Sequence, residues 1–320
     1  MDVLLPGLGS AHVLVAIEAT HASFHRAVAS PLEHLGADDT AIVAPIGWQP
    51  PAEYAGHQRR TVTLAELSTS VAPAAVLAAG HFTEIGAAAF AIAEARQAAF
   101  FISQHGALTP FAPPLPRGAH LLAWSDADGE FWASGRQDVT VTTTGSQLLW
   151  AASLGFDRGA PRAAQPTTLA RAAQPTSTPG LVYLGQGHAA EISRARLAHA
   201  ALTTCREHSA VYRPHPLELD VTSRAVLAAY ARAGIIVDTS GVPLVDLEAP
   251  TVSVFSTGVL EAASRGRDAW VDFPRPPAWL GEFWERYGMH RLGSSPTPAP
   301  ALPQQEPARR IAEIVSGATS

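Results

Sequence analysis

Residues 251–266 read TVSVFSTGVLEAASRG: a short β-branched apolar run that gives way, at Ser256-Thr257-Gly258, to a helical pattern. The run predicts a buried strand, and the Ala-rich stretch after it a helix. At such a junction the first turn's backbone N–H groups lack intrahelical partners and lie at the positive end of the helix dipole, a ready anion site. The hydroxyls of Ser256 and Thr257 add donors there, and Glu261, about one turn further on, suits a ribose. The same residues also suit an ordinary helix cap.

Working outward, the pattern repeats. GLVYLGQG (from Gly180) reads as a strand and glycine turn, AVYRPHP (from Ala210) as a strand ending in a polar corner, and AWVDFP (from Ala269) as a further strand, with helical stretches between them. The first half alternates in the same way through AIVAPIG, AAVLAAG, AAFFISQHG and HLLAWS; DVLLPGL reads as its first strand and VLVAIEATHASFHRAVASPLEHL mostly as helix. Alternation of this kind predicts an α/β fold with parallel sheets. Two such halves predict two Rossmann-like domains facing each other across a cleft. The expected boundaries are 1–155 for an acceptor-side domain, 156–180 for a Pro/Ala/Thr-rich linker with RAAQPT twice, 181–297 for a nucleotide-donor domain, and 298–320 for a closing loop and helix.

Composition narrows the function. Of the 320 residues, 47% are hydrophobic and 16% charged, which suits a well-cored protein rather than a disordered one. The net charge of −6 leaves no broad basic footprint for nucleic acid or an anionic membrane, so at most peripheral membrane contact is expected. Every basic residue is Arg, which excludes lysine Schiff bases and a Walker-type lysine. A single cysteine, Cys205, excludes an intramolecular disulfide or a thiolate zinc cluster and points to a cytoplasmic setting. No cofactor and no metal are expected; His21 and His25 share a helical face but have no obvious third ligand.

The other candidate site residues lie at strand ends, where open α/β sheets bind ligands. Arg213 and His215, within YRPHP, are donors suited to phosphate. Gly185 and Gly187 would let a ligand approach the backbone. In the first half, His105 sits in SQHGALTPFAPPLP as a candidate general base for an acceptor hydroxyl. Asp128, in SDADGEFW, is an alternative base, a helper that orients His105, or part of an acidic turn. The aromatic stripe Trp279, Phe283, Trp284, Tyr287 reads as packing or as a platform.

These motifs together resemble the CDP-glycerol glycerophosphotransferase family of wall teichoic acid synthesis and, more loosely, bacterial sialyltransferases and capsule polymerases of glycosyltransferase-B (GT-B) shape. Gln104-His105-Gly106 is similar to the family's His-Gly loop, His215-Pro216 to its phosphate-holding His-Pro motif, and Ser256-Thr257 to its hydroxyl pair at a helix start. Asp126-Ala127-Asp128-Gly129 is similar to the acidic pair of the sialyltransferases. The order agrees over roughly residues 100 to 265. The chain departs from the family in having Gln rather than Trp before His105, and Val254-Phe255 before the hydroxyl pair.

The resemblance implies a metal-independent transferase that moves a glycosyl or glycerol-phosphate group from a CDP- or CMP-linked donor to an acceptor hydroxyl, lipid-linked or polymeric glycans included. In that scheme Arg213, His215, Ser256 and Thr257 hold the donor phosphates, Glu261 the ribose, and His105 or Asp128 removes the acceptor proton. The alternatives are a UDP-sugar glycosyltransferase, an epimerase of the same fold, and a catalytically inactive nucleotide-binding relative.

Overall fold

The computed structural model describes residues 1–6, 11–154, 180–187 and 191–319. All but the last residue of the expected linker lies outside the described residues. The chain divides into two compact units: residues 1–108, 112–150 and 302–320 form the first, and residues 109–111 and 151–301 the second. The closing helix therefore belongs to the first unit; the sequence reading set it apart.

The first unit is built on eight strands: β1 (Asp2–Leu5), β2 (Val13–Ala16), β3 (Thr40–Ala44), β4 (Gln58–Thr61), β5 (Ala75–Ala78), β6 (Ala99–Ser103), β7 (His120–Ala123) and β8 (Thr140–Thr143). Their order is β4-β1-β3-β2-β5-β6-β7-β8. β1 runs antiparallel to both β3 and β4, while β2, β3 and β5 to β8 are parallel neighbours. Two expectations change here. DVLL is the first strand, as expected, but it lies between β3 and β4 antiparallel to both and not in the parallel part of the sheet. VLVA, assigned to helix, is the central parallel strand β2. All four of its residues are buried, so it is covered on both faces and shows no alternation to separate it from a buried helix.

The α-helices of this unit include α1 (Ala22–Phe24), α2 (Leu64–Ser70), α3 (Glu84–Arg96) and α4 (Asp126–Ala133), while α5 (Gln147–Ser153) begins in it and ends in the second. The ambiguous VTLAEL becomes helix because Thr63 and Glu66 form a reciprocal capping box at the start of α2. One sheet face packs Leu14, Val43, Val76, Ile102 and Leu121 against Ala89 and Ile92 of α3. The other packs Val15, Ile42, Leu77 and Phe101 with Ile311 and Val315. These last two come from the closing helix (Pro307–Gly317), whose apolar stripe explains why the terminal segment joins this unit.

Among its described residues the second unit has four parallel strands, β9 (Val182–Leu184), β10 (Val211–Arg213), β11 (Thr251–Ser253) and β12 (Ala269–Val271), in the order β10-β9-β11-β12. The helices α6 (Arg194–His208), α7 (Val221–Arg232), α8 (Thr257–Ser264) and α9 (Ala278–Arg286) connect or follow them, and the closing helix is α10. IIVDTS, expected as a strand, contributes a single bridge, Val237 to Tyr212. VPLVDLEA contributes only a short 3₁₀ turn, Leu244–Asp246. Among the described residues, no helix is long and apolar enough to cross a membrane.

Candidate functional site

In the second unit the chain leaves β9, forms β10 on one side, and later places β11 on the other side of β9. A reversal of this kind opens a crevice beyond the carboxyl ends of the two central strands, where ligands of open α/β sheets bind. Gly185, Gln186 and Gly187 follow β9, Pro214 and His215 follow β10, and Ser256 and Thr257 follow β11.

Local chemistry fixes these three loops. The Gly185 N–H donates to the Arg213 carbonyl at 2.8 Å, extending the β9–β10 ladder by one residue. Ser253 Oγ donates to the Leu184 carbonyl at 2.9 Å and accepts from Gln186 Nε2, so the turn after β9 is tied to β11. Ser256 is the N-cap of α8, its Oγ accepting from the Gly258 N–H at 3.1 Å, and Thr257 opens the helix. Glu261 lies one turn in, partly buried. A side chain at Gly187 has no room: its backbone is left-handed (φ +61°), and a Cβ would fall 2.7 Å from His215 Nδ1. At Gly185 a Cβ would fall 2.7 Å from Tyr212 Oη, 2.9 Å from Glu218 Oε1 and 3.0 Å from the His215 N. The two glycines and His215 are thus in direct contact. His215 Nδ1 accepts from the Leu217 N–H at 3.2 Å, which puts the neutral ring's proton on Nε2.

Arg213 is differently employed. Its Nη1 pairs with Asp238 Oδ2 at 3.1 Å, and its Nη2 donates to the Val242 carbonyl. The guanidinium therefore holds the 238–242 segment, and its charge is already matched.

The sequence carries no motif for two residues here, Glu218 and Tyr183. Glu218 accepts from Tyr212 Oη and from the Gly187 N–H. Burial raises its pKa despite those bonds. Tyr183 is fully buried and its Oη has no hydrogen-bond partner among the described residues. Tyr183, Tyr212, Tyr230, Glu218, Leu197 and Val226 line a cavity of about 50 Å³ between α6 and α7. The one signal for Glu218 was its place in HPLE, three residues past His215. The aromatic stripe serves packing: Phe283 is buried, and Trp284 Nε1 donates to the Val254 carbonyl at 2.7 Å.

In the first unit, His105 and Asp128 follow β6 and β7. Asp128 is 1% exposed, and Gln104 Nε2 donates to its Oδ2 at 3.0 Å. Gln104, in the position where the resembling family has Trp, also accepts from the Trp124 N–H at 2.8 Å and donates to the Gly106 carbonyl at 3.0 Å. It therefore organises both strand ends. His105 lies against Phe24 with ring centroids 4.0 Å apart, and its Nδ1 is buried with no hydrogen-bond partner among the described residues. Asp128 therefore does not orient His105 through that nitrogen. Burial, with a smaller contribution from nearby His21, pushes the His105 imidazole down to about 4. Such a ring is neutral at pH 7 and a weak proton acceptor, because an efficient general base titrates near the working pH.

The anion position in this unit is filled from within. Glu18, just past β2, accepts from the N–H groups of Ala79 and Gly80 at 2.7 and 2.9 Å and from Thr83 Oγ1, the cap of α3. A Cβ on Gly86, in the first turn of α3, would meet its Oε2 at 2.7 Å. At α8 the cap is a neutral hydroxyl, and its first turn contains no acidic residue.

No family model matches the sequence, and no curated protein matches it. Among solved structures, the fold is similar to a Listeria monocytogenes protein designated a UDP-N-acetylglucosamine 2-epimerase, with a TM-score of 0.52 and 15% identity over 97% of this chain and 90% of that one. The UDP-GlcNAc 2-epimerase of Methanocaldococcus jannaschii aligns at a TM-score of 0.46 and 12% identity, covering 86% of this chain and 85% of that one. Os79 from O. sativa, solved with UDP, aligns at 0.42 and 15%, covering 95% and 91%. The first likeness establishes the fold: two Rossmann-like α/β units of the GT-B class.

Proposed function

We propose that the chain is a nucleotide-sugar enzyme whose second unit holds a nucleoside diphosphate at the ends of β9, β10 and β11. The observation that carries this reading is the direct contact of Gly185 and Gly187 with His215, at the same carboxyl edge of the sheet as the Ser256-capped start of α8, where the strand order reverses. Ser256, Thr257 and the first N–H groups of α8 take the phosphates. His215 donates to them from Nε2, and Glu261 takes the ribose. Gly185 and Gly187 admit the ligand to the backbone. Arg213 leaves the phosphate set, because Asp238 and Val242 already hold it.

The donor is uridine-linked rather than the cytidine-linked one that the motifs imply; support comes from the UDP-sugar named for the Listeria protein of the same fold. The reaction is transfer of the sugar to an acceptor hydroxyl, with epimerisation of the UDP-sugar as the second reading, favoured by that protein's designation. Neither Asp128, already bonded to Gln104, nor neutral His105 is assigned the role of base.

Calorimetric titration with UDP, CDP, CMP and GDP tests the donor site. UDP should bind most tightly, and His215→Ala should weaken it at least tenfold, the order expected for a lost charge-assisted bond. Absence of binding by all four overturns the reading, and a preference for CDP or CMP returns it to the cytidine-linked donor. Incubation with UDP-N-acetylglucosamine alone separates the two reactions, since only an epimerase changes the sugar without an acceptor.

A further inference from the structure

We propose that Glu218 is a positioning residue: its carboxylate clamps the Gly185–Gly187 turn against His215 and so fixes the place of that ring. The proposal rests on the donor-site reading above for its consequence in binding, and on geometry alone for the clamp.

The clamp stands on a rigid post. Tyr212 lies in β10, buried, with its ring 5.8 Å from that of Tyr183 and 4.8 Å from that of Tyr230. Its Oη donates to Glu218, 2.9 Å from Oε1 and 3.1 Å from Oε2. The same Oε1 accepts from the Gly187 N–H at 3.3 Å. Gly187 in turn presses on the imidazole, its absent Cβ leaving just enough room for Nδ1, and Gly185 sits on Tyr212 Oη and the His215 backbone. Contact thus runs without a gap from Tyr212 through Glu218 and Gly187 to His215. The Glu218 N–H also donates to the His215 carbonyl at 2.9 Å, so one residue grips the histidine from its backbone side and, through Gly187, from its ring side. A carboxylate is costly to bury in part unless its bonds are well made. Donors from β10 and from the turn after β9, Tyr212 Oη and the Gly187 N–H among them, justify one here, where an apolar side chain would fill the space but could not hold Gly187.

The test uses the full chain with its histidine rings ¹⁵N-labelled, and the variants Glu218→Ala, Glu218→Gln, Tyr212→Phe and Ser256→Ala. The His215 resonances, assigned by their loss in His215→Ala, are read without nucleotide, and the UDP Kd is read separately. Glu218→Ala should move the His215 ring resonances and weaken UDP about tenfold, as expected for losing bonds to a charged acceptor. Glu218→Gln, whose amide oxygen still accepts both bonds, should return the resonances to within their original linewidth and UDP affinity to within about threefold. Unmoved His215 resonances in Glu218→Ala overturn the clamp. If UDP weakens in Ser256→Ala but not in Glu218→Ala, the donor site stands and the clamp falls. If UDP binds no variant and no wild type, the donor reading falls and the resonances alone decide the clamp. If Glu218→Ala does not fold, Tyr212→Phe carries the same expectation of a moved ring and the same overturning result.

Discussion

Arg213 Nη1 lies 3.1 Å from Asp238 Oδ2, in a pair whose side chains are 17% and 19% exposed. Sequence position alone made Arg213 a phosphate ligand; its partners make it the anchor of the segment that follows β10. Arg213→Ala should therefore destabilise the fold by about 2–4 kcal/mol, since it strips a largely buried carboxylate of its cation, leaving it only the Ser240 N–H, and leaves the Val242 carbonyl without the guanidinium donor. UDP affinity in the folded fraction should change by less than about threefold. Chemical denaturation paired with calorimetry checks both. A variant of normal stability that no longer binds nucleotide would return Arg213 to the phosphates.

The neutral His105 gives the first unit an acid sensitivity. The unfolded ring takes its proton near 6.5, whereas the folded ring waits until about 4. Between those values the unfolded chain binds more protons, so stability falls as pH falls from about 6.5 towards 4, by about 3 kcal/mol in total, and is unaffected by this group above pH 7. His105→Asn should flatten that part of the profile. Urea midpoints at pH 7.5, 6.0 and 4.5 for both proteins measure it; equal slopes would show that the ring titrates normally.

Glu18 plays the part of an internal anion at α3. Glu18→Ala leaves the Ala79 and Gly80 N–H groups and Thr83 Oγ1 without their acceptor, and should cost about 2–4 kcal/mol. The emptied cradle should then accept an external anion. Millimolar phosphate should raise the Tm of the variant by several degrees more than that of wild type, by simple linkage. Equal responses would show that the cradle closes up when the carboxylate is removed.

What could be read in advance follows from how locally each feature is determined. β9, β10 and β11 were legible because each is a short β-branched run ended by Gly, Pro or Ser, and all their candidate residues fall at the same sheet edge. β2 was not, because VLVAI runs straight into a helical stretch and a strand buried on both faces shows no period of two. β1 was legible as a strand but its antiparallel setting was not, because its neighbours are β3 and Gln58–Thr61, a polar and exposed strand some fifty residues later. The roles of Arg213, Asp128 and Glu18 depend on Asp238, Gln104 and Ala79, each brought close only by the sheet. Glu218 was hidden for the same reason: its partner is a glycine N–H, which has no residue-type signature.

The cap of α8 separates helix stability from ligand binding. Ser256→Ala removes the hydroxyl that accepts from Gly258 and should cost about 1 kcal/mol, with a loss of UDP affinity. Ser256→Asp should behave differently in the two measurements. A carboxylate is as good a cap as a hydroxyl and adds a favourable charge at the helix N-terminus, so the Tm should hold or rise. The same charge stands where the diphosphate is proposed to sit, as Glu18 does at α3, and should repel it, weakening UDP at least tenfold and more steeply at low salt. Thermal melts and titrations at two ionic strengths measure the pair. A Ser256→Asp variant that is both stable and undiminished in UDP binding would remove α8 from the donor site, since no phosphate could share that turn with an aspartate at no cost.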